Sequence, residues 1–199
     1  MELELRQLTE TNFSDYESIT QKESGGGCYC SFWHQKWNSR ADWDLQCKQA
    51  PEKNRAIVLE KVRAGFHVGA VVYEDGKPIG WISVGPAPDF YWTWRRVAAL
   101  GDGANKIASI VCVTASPDYR GKGFQARTLS KLVGYGKKIG WNVIEGYPFD
   151  QSAIEKHGDV VFWPGFTKSY ETAGFQRTGP HWLSSPEAER SIYQYRLGE

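Results

Sequence analysis

The sequence predicts a mixed α/β fold of the α+β type, with helices packed on a central sheet of about seven strands. An apolar, β-branched run at 107–115 precedes a glycine turn and a segment with helical spacing, which indicates a strand, a turn and a helix. Asp75-Gly76 separates two alternating apolar runs and is a typical turn of a β-hairpin. A further apolar run at 141–147 follows the helical segment, so its strand is predicted to lie parallel to the first.

Length, charge and composition narrow the class of protein. A chain of 199 residues is predicted to form one domain, 1–199, with a sizeable core. Its formal net charge of +1 argues against a dedicated nucleic-acid or membrane-surface protein, so neither partner is expected. No segment is apolar enough to span a bilayer and the N-terminus resembles no signal peptide, so we expect a cytoplasmic protein whose four cysteines are free thiols. The sequence leaves homodimer formation open.

The first quarter of the chain is predicted to contain a strand, a helix and a cysteine-rich loop. Alternating leucines indicate a strand at 2–8, and a helix capped by a polar residue at 11 or 12 extends to about residue 22. The residue types that bind zinc then occur together, at Cys28, Cys30, His34 and Cys47. Zinc sites favour two to four residues between paired cysteines, and the first pair here has only one between them. We therefore prefer a thiol- and tryptophan-rich wall packed on the sheet, and we expect no metal.

The middle of the chain is predicted to contain two helices and a hairpin. The helices, 40–49 and 52–65, are divided at Pro51, and the hairpin strands follow at 66–74 and 77–84. Residues 89–96 then combine aromatic and basic side chains, which suits stacking on single-stranded nucleic acid, the lining of a small-molecule cleft, or plain packing. A loop or short helix that lines a cleft is the preferred interpretation, because one short basic patch is weak support for nucleic acid.

The turn after the 107–115 strand carries the clearest chemical signal. Pro117 ends the strand, and Gly121 and Gly123 allow positive φ angles and close approach of a ligand. The first N–H groups of the following helix have no intrahelical partner, and Arg120 and Lys122 add positive charge. This turn is therefore predicted to bind phosphate. Beyond it, we predict a helix within 162–174 and an antiparallel pair of strands at 175–182 and 191–197.

The same glycines also satisfy the fingerprint of a dinucleotide-binding turn. Gly121-x-Gly123-x-x-Ala126 matches its spacing, and Glu145 lies about twenty residues on, where an acid that binds ribose would be. In an NAD-binding Rossmann fold, however, the first glycine follows its strand almost directly, whereas residues 116–120 intervene here. The fingerprint also lies past mid-chain, which leaves too little sequence for the remaining strands of a doubly wound sheet.

The turn resembles the acyl-CoA pyrophosphate loop of the GNAT superfamily of N-acetyltransferases, whose pattern is Arg/Gln-x-x-Gly-x-Gly/Ala. Arg120 and Gly123 match this pattern, whereas Gln125 departs from the final Gly/Ala. The segment at 170–175 resembles the family's Tyr-x-x-x-Gly-Phe segment, and the Asp75-Gly76 hairpin resembles its second and third strands. Together these matches cover 66–179 and leave the cysteine- and tryptophan-rich stretch at 24–65 without a diagnostic motif.

The resemblance implies a mostly antiparallel sheet with one splayed parallel pair of strands, between which the pantetheine of acetyl-CoA lies. The cofactor-binding core would then span 66–179. By position, the backbone of the fourth strand would bind pantetheine at Val113, Thr114 and Ala115. The loop that binds the pyrophosphate would consist of Arg120, Gly121, Lys122, Gly123, Phe124 and Gln125.

The resemblance also implies a reaction, in which an amine attacks the thioester of acetyl-CoA directly in a ternary complex. A backbone N–H of the fourth strand would stabilise the oxyanion, and Tyr170 matches the family's tyrosine that protonates the departing thiolate. Many relatives have a glutamate base on the fourth strand, and this chain has no acid there. Glu145 on the neighbouring strand is the predicted base, with His157 and His181 as alternatives. Cys112 lies in an apolar strand and is not expected to form an acyl-enzyme.

The acceptor is predicted to be a small-molecule or peptide amine. It would bind in an aromatic cleft that favours flat or cationic compounds through cation–π contacts. The residues predicted to bind it are Trp33, Tyr91, Trp92 and Trp94. A second class of function is left open, a non-catalytic acyl-CoA-binding module in which the missing fourth-strand acid reflects lost chemistry.

Overall fold

The computed structural model has one sheet, in which seven strands follow the order β1-β2-β3-β4-β5-β7-β6. It describes residues 2–21, 26–150, 152, 163–182, 184–185 and 189–198. The strands are β1 (Leu3–Gln7), β2 (Ala70–Glu74), β3 (Lys77–Pro86), β4 (Ile107–Ala115), β5 (Val143–Gly146), β6 (Gln176–Pro180) and β7 (Ser191–Arg196). Within this described part, β4 and β5 are the one parallel pair. The predicted mixed α/β fold is confirmed. A Rossmann fold is excluded, because the sheet of a Rossmann fold is mostly parallel and the sheet of this protein is mostly antiparallel.

The helices begin and end within a few residues of the positions that the local sequence signals predict. They are α1 (Phe13–Thr20), α2 (Arg40–Gln49), α3 (Pro51–Arg63), α4 (Trp94–Leu100), α5 (Phe124–Ile139) and α6 (Thr167–Thr172). Ser39 caps α2 by accepting the N–H of Asp42 at 3.1 Å, and Pro51 is the first residue of α3. None of the helices in the described ranges combines the length and the apolar character that crossing a bilayer requires.

Two apolar cores lie on opposite faces of the sheet. In β2, Ala70 and Val72 face one core, whereas Val71 and Tyr73 face the other, as the alternation of a strand requires. Helices α5 and α6 cover the first face, and α1 and α3 cover the second. Both faces are therefore buried, which explains why β3 and β4 are apolar over most of their length.

Several predicted boundaries differ from the structure. The strand predicted from residue 66 begins at Ala70, because Gly69 has a φ of +151°, outside the range of a regular strand. The hairpin turn is confirmed, since Asp75 and Gly76 both have positive φ, as a type I′ turn requires. The helix predicted within 162–174 is α6, and residue 162 lies outside the described residues.

The parallel pair of strands opens towards its carboxyl end. β4 pairs with β5 only from Ile107 to Ile110, and then continues to Ala115 without this partner. At the same point β4 contains a bulge, because Ser83 and Val84 of β3 pair with Cys112 and Ile110 and leave Val111 as an extra residue. Bulges often occur next to active sites, where they redirect side chains. The predicted splay of the central pair is therefore present.

Candidate active site

The opening between β4 and β5 contains a short segment from later in the chain. Residues 163–166, which we call the cleft segment, are hydrogen bonded on both sides. The N–H of Val113 in β4 donates to the carbonyl of Trp163 at 2.8 Å. The N–H of Phe149, which follows β5, donates to the carbonyl of Gly165 at 2.9 Å. The cleft segment therefore lies between the two splayed strands, where the resemblance places pantetheine.

Two predicted site residues bind the same segment with their side chains. The amide of Gln125 donates to the carbonyl of Pro164 at 2.7 Å and accepts the N–H of Phe166 at 3.4 Å. The hydroxyl of Tyr170 donates to the carbonyl of Pro164 at 3.0 Å. Tyr170 is completely buried, and this burial raises the pKa of its phenol well above the usual range. Tyr170 therefore stays protonated, as a general acid must be before it acts.

The glycine turn lies at the N-terminus of α5, next to the unpaired half of β4. Gly121 and Gly123 both have a φ of +69°, which glycine adopts without strain. Arg120 and Lys122 are exposed, and the side chain of Arg120 donates to the carbonyl of Ala115 at 3.3 Å. Phe124 is buried in the core, so only its backbone faces the turn. The turn has the positive charge and the outward N–H groups that a pyrophosphate requires.

An aromatic cavity of about 240 Å³ adjoins the cleft segment; we call it the acceptor cavity. Val111, the bulge residue of β4, and Trp163 of the cleft segment line it, together with Phe32 and Trp92. The rings of Phe32 and Trp92 are stacked, with an interplanar angle of 2° and centroids 5.2 Å apart. A flat, partly apolar ligand fits walls of this kind.

The four residues predicted to bind the acceptor divide into two pairs. Trp33 and Trp92 line the acceptor cavity. Tyr91 is 38% exposed and Trp94 is 53% exposed, and neither lines the cavity. The difference arises because Tyr91 and Trp92 are consecutive in a short 3-10 turn, which directs neighbouring side chains to different sides.

The four cysteines line a second cavity of about 110 Å³, which shares Trp163 with the acceptor cavity. They are free thiols, as predicted, and are Cys28, Cys30, Cys47 and Cys112. The hydrogen bond from Cys30 lowers the pKa of Cys28 to about 7, and burial raises the pKa of Cys47 to about 12. Among the described residues, no three His, Cys, Asp or Glu side chains have the arrangement of a metal site.

Glu145 is completely buried on β5 and belongs to an ion pair. Arg96 of α4 donates to both of its carboxylate oxygens, at 2.8 and 2.6 Å. The hydroxyl of Tyr147 and the amide of Gln194 add hydrogen bonds at 2.9 and 2.6 Å. Four donors thus occupy this carboxylate, and the geometry favours a structural role for Glu145 over the predicted role as base.

The histidines named as alternative bases have different positions. His181 lines the acceptor cavity, and its ring stacks on Trp182 with centroids 3.8 Å apart. Burial and the nearby charge of Arg190 lower the pKa of His181 to about 3, so its imidazole is neutral at physiological pH and only weakly basic. His157 lies outside the described residues.

A comparison with known families gives this arrangement a context. The model of a family described as "Acetyltransferase (GNAT) family" matches residues 28–154, which is more than half of the chain. The chain belongs to the GNAT family of acetyltransferases. The family match includes the glycine turn, β4 and the cysteine-rich stretch from Cys28, for which the sequence offered no diagnostic motif.

Solved structures share the fold of this GNAT protein. The aminoglycoside acetyltransferase AAC(6')-Ib, in complex with ribostamycin and coenzyme A, is 16% identical over 98% of this chain and 94% of its own, with a TM-score of 0.58. yncA from Salmonella typhimurium, with its cofactor acetyl-CoA, is 19% identical over 99% and 95%, with a TM-score of 0.56. An N-acetyltransferase from Staphylococcus aureus Mu50 is 13% identical over 99% of each chain, with a TM-score of 0.53. No sequence among the curated proteins is similar enough to this GNAT chain to count as a match.

Two features of the candidate site in this GNAT protein are not predicted from the sequence. The first is the cleft segment, for which Pro164-Gly165 signalled only the start of a helix. The second is Arg190, which lines the acceptor cavity and has no motif around it. Both depend on contacts between residues far apart in the chain, which local patterns do not encode.

Proposed function

We propose that this protein transfers the acetyl group of acetyl-CoA to the amine of a small-molecule or peptide acceptor, by direct attack in a ternary complex. The observation that carries the proposal is the glycine turn at the start of α5, beside the unpaired half of β4. The turn suits a pyrophosphate, and the opening between β4 and β5 suits an extended chain bonded to one strand edge. Similar solved structures contain coenzyme A or acetyl-CoA, which supports this choice of cofactor.

In this proposal, acetyl-CoA takes the place of the cleft segment. The pyrophosphate binds the loop from Arg120 to Gln125, and pantetheine follows Val113, Thr114 and Ala115 along β4. The N–H groups of Val113 and Ala115 point to the same strand edge, because alternate residues of a strand do so. Trp163 must withdraw to release the N–H of Val113, and the same movement releases the hydroxyl of Tyr170 from Pro164.

The chemistry then needs few protein groups. The acceptor nitrogen forms a bond to the acetyl carbon, and the carbon–sulfur bond breaks with departure of the CoA thiolate. A backbone N–H of β4 stabilises the oxyanion, and Tyr170 supplies the proton to sulfur. An alkyl amine has a pKa of about 10.4, so it must lose a proton before it attacks. Because the carboxylate of Glu145 forms an ion pair with Arg96, we propose that the acceptor loses this proton to solvent.

A panel of amines with acetyl-CoA, followed by detection of the free thiol of CoA, tests the proposal. Release of CoA with at least one class of amine is expected, and its rate should fall more than tenfold in Tyr170→Phe. Tight binding of CoA without release from any amine would instead support the non-catalytic acyl-CoA-binding module.

A charge reversal tests the placement of the cofactor. Arg120→Glu is expected to weaken CoA binding at least tenfold, because it puts a negative charge beside the pyrophosphate. Lys131→Glu is the matched control, since it makes the same change on an exposed face of α5 beyond the first turn. Equal CoA affinity in the two variants would contradict the placement.

A further inference from the structure

We infer that the acceptor carries an anionic oxygen group, a carboxylate or a phosphonate, which binds Arg190 in the acceptor cavity. The inference rests on the proposed function and narrows its substrate class from amines in general to amines that also bear an acid group.

The position of Arg190 is fixed by backbone and ring contacts. Its carbonyl accepts the N–H of His181 at 3.1 Å, and it forms an antiparallel bridge with Phe149 just before β7. Its guanidinium lies 4.4 Å from the centroid of the Phe149 ring. Arg190 therefore lines the acceptor cavity from the position just before β7, an interior strand of the sheet.

Among the residues that the structure describes, Arg190 lacks the counter-ion that two other partly buried arginines have. Arg96 and Arg127 bind Glu145 and Glu74 at 2.6 and 2.8 Å. Across the described ranges, by contrast, no carboxylate forms an ion pair with Arg190. Its buried Nε has no hydrogen-bond acceptor, a feature that it shares with the Nε of Arg127. A partly buried charge without a counter-ion is less favourable than a paired one, so a ligand that supplies the missing anion would gain from this site.

The charge of the residues that line the cavity also favours an anionic ligand. Arg40 also lines it, with its guanidinium 5.2 Å from the Trp163 ring, although its Nε also lies 3.8 Å from the carboxylate of Asp44. No Asp or Glu side chain of the described residues lines the cavity. Burial lowers the pKa of Arg190 to about 10, which leaves it protonated at neutral pH. A polycation would be repelled by this cavity, whereas an anion would be attracted.

The cavity also lies beside the predicted reaction centre. Val111 at the bulge of β4 forms part of its wall, and so does Pro164, whose carbonyl accepts the hydroxyl of Tyr170. An acceptor whose acid group binds Arg190 would therefore hold its amine near the thioester. The cavity measures about 240 Å³ with the cleft segment in place, and withdrawal of Trp163 would enlarge it. It therefore accommodates a compound the size of an amino acid, with the stacked Phe32 and Trp92 rings against its apolar part.

Matched pairs of compounds test this inference. Each pair consists of an amino acid and the amine formed by its decarboxylation, such as phenylalanine and phenylethylamine, and an aminophosphonate analogue of the same amino acid is added as a third arm. The acid-bearing members are expected to have kcat/KM values at least tenfold higher with acetyl-CoA. A higher kcat/KM for the amino acid would identify the acceptor as an amino acid or peptide, and a higher kcat/KM for the analogue would identify it as an aminophosphonate. Higher kcat/KM values for the decarboxylated members would refute the inference while leaving the acetyltransferase proposal intact.

Variants of Arg190 locate the effect. Arg190→Gln is expected to raise KM for the acid-bearing acceptor at least tenfold, leave KM for acetyl-CoA unchanged and remove the difference within each pair. Arg190→Lys keeps the positive charge but loses the planar guanidinium that can donate two hydrogen bonds to one acid group, so it should retain part of the affinity for the acid-bearing acceptor. Arg63→Gln, which removes an exposed arginine paired with Glu10, is the control.

Binding of the same pairs by calorimetry gives a readout without turnover. If no amine releases CoA, the acetyltransferase proposal fails. The Arg190 site is still supported in that case if the acid-bearing members bind more tightly and Arg190→Gln removes the difference. Equal binding of both members would overturn it.

Discussion

Replacement of Gln125 by alanine is expected to strengthen the binding of CoA about tenfold. Gln125 occupies the position at which the GNAT loop pattern has Gly or Ala, and its amide is hydrogen bonded to the cleft segment at both Pro164 and Phe166. If CoA takes the place of this segment, both hydrogen bonds must break before it binds. Their strength therefore opposes binding, and their removal should favour it.

The magnitude follows from the two hydrogen bonds. The bond to Pro164 is short, at 2.7 Å, whereas the bond from Phe166 is long, at 3.4 Å. A typical hydrogen bond contributes about 1 kcal/mol and a long one roughly half as much, so the sum is about 1.5 kcal/mol. A change of about 1.4 kcal/mol corresponds to a tenfold change in Kd.

Titration calorimetry with CoA, without acceptor, measures this effect directly. Ser130→Ala is a suitable control, because Ser130 is exposed on the same helix and its hydroxyl donates to the carbonyl of Ala126, within that helix. An unchanged Kd in Gln125→Ala would show that the cleft segment does not compete with CoA. A weaker Kd would show that Gln125 binds the cofactor itself, as the sequence predicted.

Three further predictions concern other residues. Tyr170→Phe should lower kcat more than tenfold with KM for acetyl-CoA little changed, while Tyr193→Phe, whose hydroxyl binds Glu171, should leave kcat intact; equal kcat values would remove Tyr170 from the mechanism. Glu145→Gln should leave Arg96 without its ion pair and cost about 3 kcal/mol, which lowers Tm by roughly 6–12 °C. A large loss of kcat at unchanged Tm would instead support Glu145 as the base. Burial lowers the pKa of His34 to about 4, below the value of about 6.5 in the unfolded chain. Because the unfolded chain takes up the proton first, the stability of the folded protein falls as the pH drops from 6.5 towards 4. In His34→Phe, the loss of folding free energy on acidification should be smaller by about 2 kcal/mol at pH 5. Plots of Tm against pH that run parallel for the wild type and the variant would contradict the assignment.

The sequence predicted those parts of the fold that local patterns determine. Alternation and the Asp75-Gly76 turn located the hairpin, and the glycines at 121 and 123 located the turn before α5. Helical spacing and the proline at 51 gave the positions of α2 and α3. Each of these signals operates within a few residues, where the physical constraints on the backbone are strongest.

The candidate site was less predictable, because long-range contacts determine it. Tyr91, Trp92 and Trp94 share the same aromatic character, yet only Trp92 among them lines the acceptor cavity. The contact of Gln125 with Pro164 joins residues 39 positions apart, and no local pattern indicates it. Glu145 on β5 is predicted to be a base from the sequence, and no local pattern indicates its pairing with an arginine 49 positions earlier, which favours a structural role.

The most direct test is a single reaction that contains the protein, acetyl-CoA and an amine that also carries a carboxylate. Free CoA and the acetylated amine should be measured together, by thiol detection and by mass spectrometry. Formation of the N-acetyl product in equal amount to the released CoA is the predicted result. Release of CoA without an acetylated product, or no release from any amine despite tight CoA binding, would contradict acetyl transfer as the function of this protein.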